Sequence, residues 1–305
     1  MDDTAKAMVT ASFAADSLAL GAHWIYDTTL IEQQFGRVER LLKPLPDSYH
    51  PGKDEGEFTH YGDQTLSLLA SVAEAGSFDL NRFAESWRNL FSGYSGYFDK
   101  ATKTTLDNFG SGSGPEASGS NSTDLGGASR IGLLVYSLRE DLNGLIEAVR
   151  AQTAMTHNHP EVVDSAEFFA RSALKVLGGT PPVEALGRVV DEHFNKGPYD
   201  RWVAEGVESA AKDSRRAIAG FGQMCETGAA FPAVVHLIAK YQGDLKEALI
   251  ENVMAGGDSA ARGMIVGMIL GAFQGYEGIP DEWYLKMKKH DIILQLLEQI
   301  DRSDN

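Results

Sequence analysis

Hydrophobic and polar positions alternate with a helical period along most of the chain. Phe83, Trp87, Leu90 and Phe91 recur at three- and four-residue spacing with charges between them, and the pattern returns from Val162 to Leu174. Alternating strand patterns are scarce. The same period predicts further helices over Ala5–Leu20, Gln64–Ala75, Gly126–Leu138, Leu142–Thr153, Val183–Phe194, Val203–Phe221, Ala233–Tyr241, Leu245–Ala255, Ser259–Gln274 and Pro280–Ile300. We therefore expect an all-α protein.

Two segments break this pattern. Gln34–His60 is rich in proline, glycine and charge, and Phe109–Thr123 consists mainly of glycine and serine. Such stretches are usually loops. The second is either a flexible surface excursion or a mobile substrate loop, since long loops inside compact domains are often functional.

One predicted helix carries a stripe of glycines. From Gly263 the residue recurs every fourth position, at Gly267, Gly271 and Gly275, which places all four on one face. Glycine costs a helix about 1 kcal/mol per residue, so close packing must compensate. The stripe predicts a buried helix that another helix approaches closely.

Length and composition are those of a globular protein. The 305 residues are 43% hydrophobic and contain no evident linker, which predicts one domain over residues 1–305. The longest apolar run, Met264–Phe273, is about half of the roughly 20 residues that a membrane span needs. The acidic amino terminus lacks the basic region of a secretory signal. We expect a cytoplasmic protein without a membrane anchor.

Charge and cysteine content exclude further classes. A formal charge of −16 argues against binding to nucleic acid, which needs clustered lysine and arginine. The single cysteine, Cys225, rules out an internal disulfide framework and a zinc cluster held by several thiolates.

Polar residues stand where two of the helices begin. Asp63 lies in HYGDQT, which ends at Thr65, and Asp258 lies in AGGDSAARG, Ala255–Gly263. Each aspartate could simply cap a helix by accepting backbone donors. The second helix, however, is the glycine-striped one, so Asp258 is expected deep in the fold.

A third polar segment, THNHP, holds His157 and His159 ahead of another helix. Two histidines at this spacing could bind one metal ion only in an extended loop, and the sequence identifies no third ligand. Zinc is therefore not favoured. His157 is expected to contact a ligand.

The order of these segments resembles the ADP-ribosylglycohydrolase family. The family has an ADSLALG-type stretch, a TDDT-like helix start, a GGASR segment, a TH-x-HP loop and a GGD motif before a glycine-spaced helix, and this chain matches them in order from about Ala7 to Gly275. ADSLALGAHWIYD is most similar to the J1-crystallin-like branch. The resemblance implies an all-α orthogonal helical bundle with a cleft between helix amino ends.

In the hydrolases of the family, that cleft holds two magnesium ions and accepts ADP-ribose linked to a protein side chain or a related group. The family's TDDT falls on Gly62, Asp63, Gln64 and Thr65, so one carboxylate and one hydroxyl remain. The family's glutamate position falls on His23.

The carboxy-terminal motif is also reduced. Its D-[ST]-D-T falls on Asp258, Ser259, Ala260 and Ala261, which removes the second carboxylate. Two close cations need bridging carboxylates, whereas one magnesium ion needs only one or two. The resemblance therefore implies one magnesium ion or none, with these ligands: Asp63, Thr65, Asp258 and Ser259.

If hydrolysis persists, it would break a glycosidic bond at the anomeric carbon of a ribose. Asp63 and Asp258 would stabilise positive charge and activate water, with His23 as acid or base. Arg130 and His157 would contact phosphate or the distal ribose, although a surface salt bridge explains Arg130 equally well. The backbone amides of Gly126 and Gly127 could bind phosphate.

Three functions remain open at this stage. The first is a hydrolase of a ribosyl N- or O-glycosidic bond, in an ADP-ribosyl adduct or a related nucleoside. The second is a catalytically inactive, J1-crystallin-like protein that binds a ligand or has a structural role. The third is a metal-independent nucleosidase that uses Asp63 and His23.

Overall fold

The computed structural model describes residues 2–303, which form helices joined by turns and loops. Its α-helices are α1 Asp2–Ala19, α2 Thr28–Phe35, α3 His60–Ala75, α4 Leu80–Ser92, α5 Lys100–Gly110, α6 Gly132–Ser137, α7 Leu142–Ala154, α8 Pro160–Leu177, α9 Pro182–His193, α10 Tyr199–Glu208, α11 Ser214–Phe221, α12 Thr227–Lys240, α13 Leu245–Met254, α14 Ser259–Gln274, α15 Asp281–Leu285 and α16 His290–Ser303. Short 3₁₀ helices are Leu20–Ala22, Pro115–Ala117, Leu125–Ile131, Ser209–Ala211 and Gly275–Gly278. Within residues 2–303, β-structure is limited to isolated bridges, and the all-α prediction is confirmed.

The glycine stripe lies where α14 packs against α1. A Cβ at Gly267 would lie 2.6 Å from the Ala11 carbonyl oxygen, and one at Gly271 would lie 2.7 Å from the Ala11 Cβ. A Cβ at Gly263 would lie 2.6 Å from Asn252 Nδ2. Gly275 instead ends the helix with a left-handed φ of 66°. The predicted close approach is confirmed for the first three glycines.

One continuous hydrophobic core contains side chains from Ala5 near the start of the chain to Ile300 near its end. Helix α14 lies at the centre of this core, since every residue from Ser259 to Ala272 is buried. None of the helices described for residues 2–303 has both the length and the apolar character needed to cross a membrane.

Two predicted helices are each two helices in the structure. Val203–Phe221 is divided into α10 and α11, because the Asp213 side chain accepts a hydrogen bond from the Arg216 amide and starts a new helix. The segment Pro280–Ile300 is likewise divided into α15 and α16. The uninterrupted helices predicted there are wrong.

The beginnings of α3 and α14 differ from the predicted caps. α3 starts at His60, because Thr59 accepts a hydrogen bond from the Tyr61 amide. Asp63 therefore lies inside the first turn and is not the cap. Asp258 has the capping position of α14, but its side chain makes no capping hydrogen bond. Both carboxylates are left to other partners.

Several helix amino ends meet at one place. Asp99 caps α5 through the Thr102 amide, 2.6 Å away, and Asp124 caps the 3₁₀ helix Leu125–Ile131 through the Gly126 amide, 2.7 Å away. The bridge between Ser120 and His157 holds the intervening loop against the segment before α8. Helix amino ends carry partial positive charge, which stabilises the carboxylates placed there.

Candidate active site

Three buried aspartates lie together at these helix ends. Asp99, Asp124 and Asp258 are 6%, 7% and 2% exposed. Ligand atoms of Asp124, Asp258 and Cys225 lie within 4.8 Å of one another, as do those of Asp99, Asp124 and His157. In residues 2–303 the ion-pair partners of these aspartates are histidines, and none is a lysine or arginine. We call Asp99, Asp124 and Asp258 the carboxylate cluster.

Tyr61 connects two members of the cluster. Its hydroxyl lies 3.2 Å from Asp258 Oδ2 and 3.3 Å from Asp124 Oδ2, but it has only one proton to donate. Burial and the charges of Asp258 and Asp99 raise the pKa of Asp124 well above its ordinary value. A protonated Asp124 donates to Tyr61, and Tyr61 then donates to Asp258. This arrangement satisfies all three groups.

Two histidines hold the other oxygen of Asp258. His23 Nε2 lies 2.9 Å from Asp258 Oδ1, and His23 Nδ1 lies 3.0 Å from His50 Nε2. Burial lowers the pKa of His23, and burial lowers the pKa of His50 to about 2, so both rings are neutral. His50 can then donate to His23, and His23 to Asp258.

Asp258 is ionised in this arrangement. Burial acts against its charge, but the hydrogen bond from His23 and the positive charge of Arg262 outweigh burial and hold the pKa of Asp258 below its ordinary value. The structure thus brings His23 into direct contact with Asp258, and the role of His23 as acid or base stays a prediction. His23 orients a carboxylate that does not cap its helix.

Asp99 lies on the other side of Asp124, next to two histidines. Its Oδ2 is 3.5 Å from His60 Nε2 and 3.9 Å from His157 Nε2, and it has no hydrogen-bond partner. Both ring nitrogens of His60 and Nε2 of His157 are also buried without a hydrogen bond. Burial lowers the pKa of His157 to about 4, so this ring is neutral.

A pocket of about 350 Å³ opens above the cluster. Asp99, Asp124 and Cys225 line it, whereas Asp258 lies behind Asp124. Burial and the charges of Asp124 and Asp258 raise the pKa of the Cys225 thiol, which makes it a poor nucleophile. The rim consists of aromatic side chains: Trp24, Tyr26, Tyr49 and Tyr97.

Trp24 is held in an unusual conformation at this rim. Its φ is 63°, in the left-handed region, and in residues 2–303 it is the one non-glycine residue with a positive φ. Its ring stacks on His23 and meets Tyr49 and Tyr97 edge-on, with centroids 4.2, 5.1 and 5.0 Å apart. Bulky residues in this conformation are strained and concentrate at functional sites.

The structure places Asp63 with different partners. Its Oδ2 accepts hydrogen bonds from Lys53 Nζ at 2.5 Å and from the Tyr94 hydroxyl at 2.7 Å. Two residues along a helix turn the side chain by about 200°, so Asp63 leaves α3 on the side opposite to Tyr61. It shares no contact with Asp258. Lys53, Asp63 and Tyr94 are called the Asp63 site below.

Thr65 and Ser259, two further predicted magnesium ligands, are not hydrogen-bonded to Asp63. Thr65 Oγ1 donates to the Tyr61 carbonyl inside α3, 2.8 Å away. Ser259 Oγ is buried and has no hydrogen-bond partner. One magnesium ion on Asp63, Thr65, Asp258 and Ser259 stays a prediction, and these contacts do not support it.

Arg130 is neither a surface salt bridge nor a wall of the pocket. It is fully buried, and its guanidinium donates to Gln152 Oε1, Gln64 Oε1 and Thr156 Oγ1 at 3.1, 3.2 and 2.6 Å. The same Thr156 hydroxyl lies 2.9 Å from His157 Nδ1. Arg130 thus supports the segment that carries His157. Its contact with phosphate or the distal ribose stays a prediction, and these contacts do not support it.

The paired glycines also act differently from the prediction. The Gly126 amide is already bonded to Asp124 Oδ1. A Cβ at Gly126 would lie 2.3 Å from Tyr61 Cε1, and one at Gly127 would lie 2.7 Å from His157 Cγ. The glycines let the two rings approach the backbone, and the Gly126 amide is not free to bind phosphate.

Comparison with known proteins agrees with this fold. A family model described as ADP-ribosylglycohydrolase matches residues 1–305. The chain belongs to this family. Crystallin J1A of Tripedalia cystophora is 24% identical over 327 residues, with 98% of this chain and 97% of the crystallin covered. Crystallin J1B of the same organism is also 24% identical, over 319 residues and with the same coverage of both chains.

A solved structure titled ADP-ribosylglycohydrolase-related protein complex superposes with a TM-score of 0.77. The two chains are 20% identical, and the match covers 100% of this chain and 99% of the other. The resemblance predicted from the motifs and the bundle that it implies are confirmed.

The family's two-magnesium site does not fit the residues of this chain. At the position of the family's leading threonine, a Cβ on Gly62 would lie 2.5 Å from Asp16 Oδ2 and 2.8 Å from Phe58 Cβ. At the second carboxylate position, Gln64 Oε1 accepts a hydrogen bond from Trp87 Nε1 at 2.7 Å. Neither position carries a metal ligand: the first faces Asp16 and Phe58, and the second is an amide held by Trp87 and Arg130. We derive no step through such a centre.

Sequence reasoning missed Asp99, Asp124 and Tyr61. The two aspartates carry the signal that directed attention to Asp63 and Asp258, an acidic residue directly before a helix. Asp124 even precedes the GGASR motif by two positions. The signal was present, but nothing in the sequence ranked these helix starts above the others.

Proposed function

We propose that this protein hydrolyses a ribosyl N- or O-glycosidic bond, in an ADP-ribosyl adduct or a related nucleoside. The observation that carries the proposal is the carboxylate cluster, buried beneath an aromatic-rimmed pocket and without a lysine or arginine partner among residues 2–303. Cleavage at the anomeric carbon passes through an oxocarbenium-like transition state. The buried negative charges of Asp99 and Asp258, which no lysine or arginine contacts, stabilise that state more than the ground state of the substrate.

The positions of the three aspartates define their roles in the proposal. Asp99 and Asp124 line the pocket and are the groups that face the sugar. Asp258 lies behind Asp124, where it maintains the negative field. His23 and Tyr61 are positioning residues, because they act on substrate only through the aspartates that they bind.

The rim supports a ligand with a flat or ring-shaped group. A volume of about 350 Å³ is at the small end of the range for small-molecule sites. Tyr26 and Tyr49 are 47% and 50% exposed, so their faces are available for stacking on a base or a sugar. We propose a small-molecule ligand, free or attached to a modified protein, and no nucleic acid. A cytoplasmic location stays a prediction.

The test is a hydrolysis assay on the intact protein. ADP-ribosylated peptides with arginine and serine linkages and a set of ribonucleosides are incubated with the wild-type protein, and released ADP-ribose, ribose or base is measured by chromatography. Asp124→Asn keeps the size of the side chain and should lower turnover by roughly 10²–10⁴-fold. Wild-type turnover that this change leaves intact would contradict the proposal.

The second candidate is a ligand-binding protein without catalysis. Its support is the full-length similarity to the J1 crystallins together with Gln64 and Ala260 at the family's carboxylate positions. It predicts saturable binding of ADP-ribose in a calorimeter with no product in the hydrolysis assay. The two measurements together separate the two candidates.

A further inference from the structure

We propose that Asp99, Asp124 and His157 bind a divalent transition-metal ion of the zinc type, at a place different from the family's magnesium site. Their ligand atoms lie within 4.8 Å of one another, and all three side chains are buried. This proposal goes beyond the proposed hydrolysis, because the bound ion can be measured without any substrate.

Unsatisfied polar atoms point to a missing positive charge between these residues. Asp99 Oδ2 and His157 Nε2 belong to side chains more than nine-tenths buried, and neither atom has a hydrogen bond. Buried polar atoms are nearly always paired. Here a carboxylate oxygen and a ring nitrogen approach each other at 3.9 Å, which is too long for a hydrogen bond.

That spacing fits two ligands of one ion. Zinc–nitrogen and zinc–oxygen bonds of about 2.1 Å in a tetrahedron place neighbouring ligand atoms roughly 3.4 Å apart. The observed 3.9 Å between Asp99 Oδ2 and His157 Nε2 would close by a few tenths of an ångström on binding. His60 Nε2, 3.5 Å from the same oxygen, lies where it can orient the carboxylate.

Each of the three side chains is already held by a hydrogen bond at an atom other than the one that would bind the ion. Asp99 Oδ1 accepts the Thr102 amide, and Asp124 Oδ1 accepts the Gly126 amide. His157 Nδ1 lies 2.9 Å from Thr156 Oγ1, which also accepts from Arg130. When Nδ1 donates to that hydroxyl, the lone pair of Nε2 faces Asp99. Such partners are typical of histidines that bind metals.

The surrounding charge also favours a cation. Three carboxylates are buried here, and the two buried guanidiniums nearby, Arg130 and Arg262, donate to side-chain oxygens and carbonyls instead of to any of them. Their two charges match those of Asp99 and Asp258, but neither guanidinium touches an acid, and Asp124 keeps its proton. A divalent ion would contact the acids directly and would displace the proton of Asp124.

The ligand set indicates the kind of ion. Magnesium prefers oxygen ligands, whereas an imidazole nitrogen combined with carboxylates suits zinc and similar ions. Asp99 and Asp124 line the pocket, so a fourth position would face it and could take water or a ligand oxygen. The sequence around THNHP identified no further ligand. In the structure, Asp99 and Asp124 supply ligands from the starts of distant helices.

The experiment measures binding by protein stripped with a chelator and dialysed. Titration with Zn²⁺ in a calorimeter should give one tight site per chain, and mass spectrometry of the dialysed complex should recover one zinc. Co²⁺ should give the intense visible bands of a tetrahedral site. Asp99→Asn and His157→Gln should each weaken zinc binding by about 10–100-fold or more.

His159→Gln is the matched control, since it changes a histidine of the same loop that lies outside the ligand group. It should bind zinc like the wild type. Circular dichroism confirms that each variant is folded before it is titrated. The proposal is overturned if the wild type binds no zinc, if His157→Gln binds as tightly as His159→Gln, or if the ion is lost in Asp63→Asn instead. Zinc binding without turnover would support this site while contradicting the proposed hydrolysis.

Discussion

Two acidic regions involve the first turn of α3, one through Asp63 and the other through Tyr61, and they differ in how their charge is balanced. The Asp63 site occupies the family's carboxylate position, yet Lys53 neutralises it and Tyr94 completes its hydrogen bonds. In the carboxylate cluster, Asp258 is the first aspartate of the family's carboxy-terminal motif, whereas Asp99 and Asp124 lie outside the motifs. In residues 2–303 no lysine or arginine is paired with any of the three. One region is a satisfied ion pair, whereas in the other Asp99 Oδ2 is buried without a hydrogen bond.

The difference shows that a surviving motif residue can have partners other than a metal ion. Asp63 remains, but a side chain at Gly62 would meet Asp16, and Gln64 is a neutral amide that accepts a hydrogen bond from Trp87. In the proposed function, the carboxylate cluster stabilises charge instead. The following changes test this contrast, from the largest expected effect to the smallest.

Gly62→Ala tests whether the family's ligand position is truly filled. The new Cβ would lie 2.5 Å from Asp16 Oδ2, so we expect the free energy of unfolding to fall by about 3 kcal/mol. Gly187→Ala is the control, because a Cβ there meets nothing within 4 Å. It should raise the free energy of unfolding by roughly 0.5–1 kcal/mol. Urea denaturation gives both free energies of unfolding. If Gly62→Ala and Gly187→Ala change them equally, a side chain at position 62 has room.

Asp124→Asn and Asp63→Asn should change stability in opposite directions when a chelator is present. The pKa of Asp124 is raised in the folded state, so between its ordinary and its folded pKa the folded protein loses stability as pH rises. Removing this group should stabilise the protein at pH 7 and have less effect at pH 4, where the carboxyl group is protonated in the folded state and largely protonated in the unfolded state.

Asp63→Asn instead breaks a half-buried ion pair and should lower the free energy of unfolding by roughly 1–2 kcal/mol at pH 7. Thermal unfolding at both pH values measures the pair of variants. If Asp124→Asn lowers the free energy of unfolding instead, the charge of the carboxylate cluster is balanced as well as that of the Asp63 site.

Tyr94→Phe gives the smallest effect. It removes the hydroxyl that donates to Asp63 and should lower the free energy of unfolding by about 1 kcal/mol. Tyr97→Phe, three residues later at the pocket rim, removes a hydroxyl from a side chain that is 36% exposed and should leave stability unchanged. A loss of stability in Tyr97→Phe alone would reverse the assignment of these two tyrosines.

Much of the fold was predictable because its signals are local. The helix Ser259–Gln274 has the predicted bounds, and the glycine stripe correctly indicated a close helix contact. At Asp213, which caps α11, the helical period of the sequence continues across the boundary between α10 and α11. Periodicity alone therefore predicted one helix where the structure has two. That the whole chain forms one domain stays a prediction.

For the site, the sequence determined the residue types at each helix start and thereby the family, including the loss of ligands at Gln64 and Ala260. Tertiary structure alone decided that Asp63 meets Lys53, and that Asp99 and Asp124 meet His157. The physical reason is that helix periodicity and capping depend on neighbours in sequence. Charge balance and ligand geometry depend on which helix ends the packing of α1, α3 and α14 brings together.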